Sequence, residues 1–369
     1  MMIPRLAALL ALCDAFVRAP PSLMGTIGGA ALRVPRSLRL ASSVIDLTAP
    51  EHNRGRGGDD ADVVPLMLLR CSYLPGATEV PLNFIEPRMR EMCRDTDRFV
   101  VAFAPDETLA ACCGVGVVFE LRSRTEETHC PRPKTVGVSD VAPRPFAIRR
   151  VLNGRRHADP SEYLLAEIEP LRDDDESEER GGGATADAAD SALAALTEIV
   201  GLRRELAGTT ARAAPAAPAD DAVVVLPALA AATEWASAPE RDGSLWNLAR
   251  RWQAVCERLS GEAIARMRAE IDGIAMDHMM AQPGPLNLPI KLERDLPPDV
   301  LARARRAEKR WRDEIEAMDL EPNAPFQRLV EAPNRAARAR ALTRMIENER
   351  NRLRAKRALR DLFPDLFEY

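Results

Sequence analysis

The stretch PLNFIEPRMREMC, residues 81–93, places a glutamate, a proline and an arginine inside an otherwise apolar part of the chain. Glu86, Pro87 and Arg88 could form a reactive site, or they could form a corner at which a strand turns into a helix. Proline lacks an N–H and fixes φ, which suits the first turn of a helix. A carboxylate at that position is favoured by the positive end of the helix dipole. We therefore predict a strand-to-helix corner.

Other residues that could carry chemistry are scattered along the sequence. His129 and His157 fall in polar loops and His278 in a methionine-rich helix, so no nucleophile–base arrangement is predicted. Gly114 and Gly116 are followed by Val-Val-Phe-Glu rather than by a third glycine and a helix start, which argues against a nucleotide site. We expect no catalytic residues and no cofactor, and hence a protein that is not an enzyme.

Cysteine usage argues against a metal site. The seven cysteines lie at positions 13, 71, 93, 112, 113, 130 and 256. They form no Cys-x-x-Cys pair and have no neighbouring histidine pair, which structural zinc sites use. The odd count and irregular spacing favour reduced and mostly buried thiols over a disulfide framework.

Length and composition describe a globular chain with room for two domains. It has 369 residues, of which 46% are hydrophobic and 29% charged. The formal net charge of −5 gives no attraction of the whole chain to phosphate. No segment beyond the amino terminus approaches the roughly 18 to 20 apolar residues that a membrane-spanning helix needs, so no membrane span is expected in the mature chain.

Residues 1–45 are predicted to be a targeting presequence. Arg5 precedes a short apolar run over 6–12 and then a small residue, which is the order of a signal peptide. The tract from Phe16 onward is rich in Arg, Ser and Ala and has no acid until Asp46, as in organelle transit peptides. This order resembles the two-part plastid presequences of algae. We expect a plastid location, with the secretory pathway and the cytoplasm as alternatives.

The strand-rich part of the sequence follows a linker. Residues 46–62 are polar and glycine-rich, which is typical of a linker. Residues 63–172 contain short apolar or alternating runs separated by clusters of Gly, Pro, Asp and Arg, which predicts a small barrel or folded sheet. Within them, the apolar residues of 87–95 recur at helical spacing and predict one short helix.

The second half of the sequence is predicted to be helical. Residues 173–240 combine an acidic block, glycines and Ala-Pro repeats, and are interpreted as a linker with a helix near 187–207. Helical patterns then dominate residues 241–369. One apolar stripe there comprises Leu245, Ala249, Trp252, Cys256 and Leu259. Trp246 and Trp252 are expected to be core residues rather than parts of a ligand cage.

Several of these segments together resemble the Lon N-terminal domain, the substrate-binding region of ATP-dependent Lon proteases that also occurs in cereblon and in stand-alone proteins. The opening motifs of that family correspond here to Pro65-Leu66, Leu74-Pro75-Gly76, Pro81-Leu82 and Glu86-Pro87-Arg88. Later strands of the family are similar to GVGVVFEL (114–121), RPFAIRRVL (144–152) and YLLAEIEPL (163–171). A weaker similarity to the helical half covers FQRLVEAPNRAARARALTRMIENE (326–349).

The resemblance implies an α+β fold, in which a small PUA-like β-barrel with one short helix precedes a C-terminal α-helical bundle. The sequence contains neither the phosphate-binding Gly-rich loop nor the serine–lysine pair of a Lon protease. The resemblance therefore implies a stand-alone, non-catalytic recognition or adaptor protein in plastid protein quality control. Its expected partners are unfolded or specific polypeptides, with a protease or a chaperone as a further candidate.

The resemblance also indicates a candidate recognition surface at Asn83, Glu86, Arg88 and Met89. Two of these residues depart from the family pattern. Asn83 stands where the family commonly has a basic residue, and Met89 replaces the usual tyrosine. Ligand preference is therefore expected to differ from that of the family.

RNA binding is the alternative function, because the related barrel type binds RNA in other families. The segments RARRAEKRWR (303–312) and RNRLRAKRALR (350–360) are basic. Intrahelical pairs such as Glu308 with Arg312 would make these arginines a solvated helix face. Base stacking would also need exposed aromatic residues, of which the chain has few. We favour protein recognition and regard nucleic acid as an unlikely partner, while a purely structural or regulatory subunit is a third interpretation.

Overall fold

A computed structural model describes residues 44–49, 62–127, 133–171, 178–210, 222–281, 294, 296–318 and 320–363. These residues form a mixed α/β structure with two sheets and seven α-helices, which confirms the mixture of strands and helices predicted from the sequence. Residues 1–43 of the predicted presequence lie outside the described residues, as do His129 and Cys130. No helix of the described part is long and apolar enough to span a bilayer.

Strands precede most of the helices along the chain. They are β1 (Val44–Asp46), β2 (Asp62–Leu69), β3 (Val80–Phe84), β4 (Arg98–Phe103), β5 (Ala111–Cys113), β6 (Val115–Glu127), β7 (Lys134–Val151) and β8 (Leu164–Pro170). One helix, α1 (Pro87–Asp95), follows β3, and a 3₁₀ helix (Gly154–Ala158) precedes β8. The later helices are α2 (Glu178–Thr210), α3 (Leu226–Ser237), α4 (Asp242–Ala281), α5 (Pro298–Met318), α6 (Ala324–Glu331) and α7 (Arg335–Leu362).

The larger sheet has the strand order β3-β7-β6-β4-β2-β8, and β8 also pairs with β7. The hydrogen-bonded order from β7 through β6, β4, β2 and β8 therefore returns to β7. Strand β7 allows this because it is 18 residues long. Its beginning pairs with β3, from Phe84 opposite Thr135, and its end pairs with β8, from Phe146 opposite Pro170. Only β2 and β4 pair in parallel among the strands described.

The runs TVGVSDV (135–141) and PFAIRRVL (145–152), which the sequence pattern predicts as two separate strands, belong to the single strand β7. The register between β6 and β7 shifts between Val117 and Phe119, which lie opposite Pro145 and Val141. The irregularity leaves residues 142–144 of β7 without a register partner on β6, and Pro143 is among them, where an unpaired bulge residue needs no N–H donor. The proline-containing segment therefore bends the strand without ending it.

Strand β1 differs from the predicted presequence and linker. Residues 44–46 pair antiparallel with β5, with Val44 opposite Cys113. Ile45 and Leu47 are buried in a core cluster formed largely by residues of the strands. Local composition gave no sign of this pairing, because the partner strand lies far away in the sequence, at 111–113. Ordered structure is therefore already present at Val44.

Helix α2 contains the helix predicted near 187–207, but it is longer than that prediction and packs into the core rather than lying within a linker. It has 33 residues, and its buried side chains include Ala189, Ala192, Leu196 and Ile199. An alanine-rich face allows close approach of a second helix, and Thr343 Oγ1 of α7 donates a hydrogen bond to the carbonyl of Ala188 at 3.0 Å. Alanines of the segment that resembled a linker therefore form a helix–helix contact. The Ala-Pro segment at 211–221 lies outside the described residues.

The main core is continuous between the strands and the helices. Phe99 and Phe119 of the sheet belong to the same buried cluster as Leu196, Trp235 and Trp252 of the helices. The Phe99 and Phe119 rings stack with their centroids 5.5 Å apart. The predicted burial of Trp246 and Trp252 is confirmed. The predicted segments 63–172 and 241–369 therefore share one core.

Buried hydrogen bonds join the strands to the helices. Ser72 Oγ donates to the carbonyl of Asn323 at 2.8 Å, and Gln253 Nε2 donates to the carbonyl of Ser72 at 2.8 Å. Gln327 Nε2 donates to the carbonyl of Val115 at 2.9 Å. Each bond satisfies a polar group that would be costly to bury alone. Together they hold α4 and α6 against the sheet in one arrangement.

The predicted Leu-Pro-Gly turn is part of this junction. Gly76 has φ of +71°, a backbone conformation that glycine adopts without steric cost. Its N–H donates to the carbonyl of Ala142 at 2.9 Å. The guanidinium of Arg250 on α4 donates to the carbonyl of Pro75. The turn therefore contacts both the sheet and a helix.

Candidate functional site

The Glu-Pro-Arg corner has the structure that its sequence predicted. Helix α1 begins at Pro87, and Glu86 is its N-cap residue in an extended conformation. The Glu86 carbonyl accepts hydrogen bonds from the N–H groups of Met89 and Arg90 at 3.0 and 3.1 Å. The prediction of a strand-to-helix corner is confirmed.

Arg88 is turned inward and fixes this corner to a distant loop. Its Nε donates to Glu86 Oε2 at 2.9 Å. Its Nη1 donates to the carbonyls of His157 and Asp159 at 2.8 and 3.1 Å. Because the residue is buried and these bonds occupy its guanidinium, Arg88 positions α1 against the 3₁₀ helix. It differs in this respect from Asn83 and Glu86, which are exposed.

A cavity of about 210 Å³ lies beside this corner. All four residues of the predicted recognition surface, Asn83, Glu86, Arg88 and Met89, line it. The other lining residues are Leu66, Met67, Leu68, Leu69, Phe84, Ile85, Leu109, His157 and Leu164. Most of these side chains are aliphatic, aromatic or thioether groups. We refer to this cavity below as the β2 groove.

The β2 groove lies against the edge of a strand rather than against its face. Leu66 and Leu68 point to one core cluster, whereas Met67 and Leu69 point to the other. Because side chains alternate between the two faces of a strand, a cavity on one face would contact only every second residue. This cavity contacts all four consecutive residues. It must therefore open at the strand's edge.

Strand pairing identifies which edge is open. Strand β4 pairs with all of Leu66–Leu69 along one edge of β2. On the other edge, β8 pairs with β2 only from Asp62 to Leu66, where its partner is Leu164. Within the residues described, no strand pairs with Met67–Leu69 on that side. The β2 groove begins where β8 ends.

The rim of the β2 groove is polar and partly exposed. Ile85 is 50% exposed, and the side chain of Glu86 is 57% exposed. The exposed Asn83 adds an amide, and His157 adds an imidazole whose Nδ1 lies 3.2 Å from the carbonyl oxygen of Gly154. Apolar walls with a few polar groups at the mouth are typical of ligand-binding cavities. Among the described residues that line the groove, none is a serine, threonine, cysteine or lysine that could act as a nucleophile.

Several residues of the β2 groove had no signal in the sequence analysis. Leu109 lies in a connection between strands and has φ of +53°, which is uncommon for a residue with a side chain. His157 and Leu164 come from the region of the 3₁₀ helix and β8. These residues meet α1 only because strand pairing brings distant segments together. The positive φ of Leu109 could not be predicted from local sequence.

Four of the five cysteines in the described part of the chain are buried, and Cys71 is half-buried. Cys93, Cys112, Cys113 and Cys256 are buried, in agreement with the prediction from their spacing. Burial raises the pKa of the Cys93 and Cys112 thiols to about 12, which leaves little thiolate at neutral pH. In the described part of the chain, no cluster of His, Cys, Asp or Glu side chains could hold a metal ion.

The carboxylates of the EIEPL segment form cross-strand ion pairs. Arg150 Nη2 lies 2.7 Å from Glu167 Oε1, and Arg149 contacts Glu169 in the same way. The intervening Ala166 and Ile168 side chains are buried. This alternation agrees with the predicted strand pattern.

Most basic residues of the α7 segment and two of the α5 segment form ion pairs. The predicted pair of Glu308 and Arg312 is confirmed, with Oε1 and Nη2 2.5 Å apart. Arg310 contacts Glu270 of α4, and Arg354 binds Glu198 of α2 through two hydrogen bonds. These glutamates neutralise positive charge that would otherwise attract phosphate groups.

Comparisons with known proteins give no further identification: no family model matches the chain, and no curated protein matches it.

Proposed function

We propose that this protein recognises polypeptides without catalysing a reaction on them, and that the β2 groove is the recognition site. The single observation that carries the proposal is the open edge of β2 inside an apolar cavity. A polypeptide can satisfy both features, since its backbone complements a strand edge and its side chains complement apolar walls. The four residues that the family resemblance indicated all line this groove.

We further propose that the fold is of the Lon N-terminal type. The returning strand order would then be the small PUA-like barrel, and helices α2 to α7 would be the accompanying helical bundle. The order of strands, one short helix and then long helices supports this assignment. In such a protein the groove would present polypeptides to a protease or a chaperone in plastid protein quality control.

RNA binding is less well supported. The arginines of α5 and α7 that could contact phosphates include several that are bound to glutamates of neighbouring helices. Electrostatic attraction supplies most non-specific binding to nucleic acid, and ion pairs of this kind reduce it.

A substitution at the rim of the β2 groove tests the proposed function. Ile85→Glu places a charge at an apolar, half-exposed position, so we expect the fold to be retained. Binding of fluorescein-labelled, reduced and carboxymethylated α-lactalbumin, a permanently unfolded polypeptide, should weaken about tenfold because apolar contact area is lost. Fluorescence anisotropy with the full chain measures this change.

Val63→Glu is the matched control, because Val63 is 40% exposed and lies on β2 but does not line the groove. It should bind the unfolded polypeptide like the unsubstituted protein. Equal affinities for the two variants would contradict the proposed site. Absence of binding to the polypeptide, with salt-sensitive binding to a single-stranded RNA, would favour the alternative function.

A further inference from the structure

We propose that the ligand of the β2 groove binds as an additional β-strand along Met67–Leu69, with an apolar side chain in the cavity and a basic side chain at Glu86. This inference rests on the proposed function and specifies the conformation and chemistry of the ligand.

The hydrogen-bonding direction of β2 places backbone groups in the groove. The carbonyl of Leu69 accepts a hydrogen bond from the N–H of Ala104 at 2.8 Å, so Leu69 directs its backbone groups toward β4. Successive residues of a strand direct these groups to opposite sides. Leu68 therefore directs its N–H and C=O away from β4, toward the groove. Leu66, two positions earlier, directs its backbone groups to the same side and pairs there with Leu164 of β8.

A polypeptide backbone is the ligand chemistry that fits this edge. Leu68 is buried and no described strand pairs with it on this side, so a strand partner would satisfy backbone groups that are costly to leave without a hydrogen bond. An added strand supplies one donor and one acceptor at the spacing that Leu68 presents. The added strand would continue the hydrogen-bonded pairing along β2 from Leu66, where pairing with β8 ends. A small apolar molecule would fill the cavity but could not complete this ladder.

The walls of the groove select an apolar side chain. Leu66, Leu68 and Leu109 are apolar, as are Phe84 of β3 and Met89 of α1. The cavity of about 210 Å³ corresponds to the volume of several water molecules, at roughly 30 Å³ each. One large aliphatic or aromatic side chain can therefore enter it.

The charge at the rim selects a basic neighbour. Glu86 is more than half exposed, whereas its partner Arg88 is buried behind it. The outer side of this ion pair therefore presents a carboxylate to a ligand. Residues two positions apart on a strand point to the same side. We therefore expect Lys or Arg two positions from the apolar residue.

A backbone-methylation series tests the added strand. The probe is a fluorescein-labelled heptapeptide, Thr-Val-Lys-Val-Leu-Val-Thr, together with variants that carry one N-methyl group at each position in turn. Because Leu68 is the residue of Met67–Leu69 whose carbonyl faces the groove, one peptide N–H donates to it, so methylation should weaken binding about tenfold at that residue and leave both of its neighbours unchanged. Anisotropy with the full chain measures each dissociation constant.

The charge requirement is tested on both partners. Replacing the peptide lysine with glutamate should weaken binding about tenfold, and Glu86→Gln in the protein should remove that preference. The amide of the substituted side chain retains a carbonyl oxygen that can accept the Arg88 hydrogen bond, so the corner should remain intact. Glu91→Gln, at an exposed position of the same helix, is the control and should keep the preference.

The outcomes separate this inference from the proposed function. If methylation has the same effect at every position while Ile85→Glu still weakens binding, strand addition is wrong and polypeptide recognition stands. If neither the heptapeptide nor the unfolded polypeptide binds, both proposals are wrong. Slow hydrogen exchange of the Leu68 amide in the protein alone would show that another segment already pairs with this edge, and would also overturn the inference.

Discussion

Replacing Glu349 with alanine should lower the free energy of unfolding by about 3 to 5 kcal/mol, because it leaves a buried arginine without its counter-charge. The Glu349 side chain is 1% exposed. It accepts hydrogen bonds from Arg203 of α2 at 2.5 Å and from Arg352 of α7 at 2.6 Å. Arg203 is also buried, so it cannot recover its hydration when Glu349 is removed. Urea denaturation measures the change.

Glu347→Ala is the matched control for this prediction. Glu347 lies on the same helix, but its side chain is 37% exposed and lies 3.7 Å from Arg350. Exposed pairs of this kind contribute little, so the control should change stability by less than about 1 kcal/mol. Similar losses in the two variants would contradict the importance of the buried network.

Phe119→Ala should have an effect of the same size, about 3 to 5 kcal/mol, because it opens a cavity where the sheet meets the helices. Phe119 is fully buried, stacks on Phe99 and packs perpendicular to the Tyr73 ring at a centroid distance of 5.0 Å. Since strands and helices share this core, we expect the whole described fold to lose stability together. Thermal unfolding followed by circular dichroism measures the loss.

Tryptophan fluorescence tests whether the two parts unfold together. All four tryptophans lie in the helices, in α3, α4 and α5. Fluorescence and circular dichroism should therefore shift by the same amount in Phe119→Ala. Glu120→Ala, at the exposed next position of β6, should leave both transitions unchanged. A loss of strand signal with an unchanged fluorescence midpoint would mean that the helices form a separate domain.

Local chemistry was sufficient to predict α1 and most strands. Helix α1 occupies the predicted residues 87–95 because proline, the acidic residue before it and the apolar spacing all favour the same start. The strands β2, β4 and β8 follow from short apolar or alternating runs bounded by turn residues. In these segments the local preference and the tertiary environment favour the same structure.

Long-range packing determines two features of the fold that sequence patterns alone did not fully predict. The composition of residues 173–240 resembled a linker because alanine and glycine carry little apolar surface, yet small side chains are what let α2 approach α7 closely. Strand β1 is three residues long and acquires its structure only by pairing with β5. Strand β1 has no local pattern that distinguishes it from a flexible segment, whereas the local pattern predicted the part of α2 near 187–207 but not its full length.

The candidate site was predictable in part. The four residues around the Glu-Pro-Arg corner line the β2 groove, but Arg88 proved to be buried. The open edge of β2 depends on where β8 ends relative to it, and the sequence of β2 contains no information on that register. Leu109, His157 and Leu164 contribute to the groove for the same reason.

Hydrogen–deuterium exchange of the full chain with and without carboxymethylated α-lactalbumin tests the central claim most directly, because it locates the bound polypeptide without any substitution. We predict slower exchange of the amides at 67–69 and 83–89, the segments whose residues line the groove. Exchange along α5 and α7 should be unchanged. Protection confined to α5 and α7, or no protection at 67–69 and 83–89 while the polypeptide is bound, would contradict the assignment of the β2 groove as the recognition site.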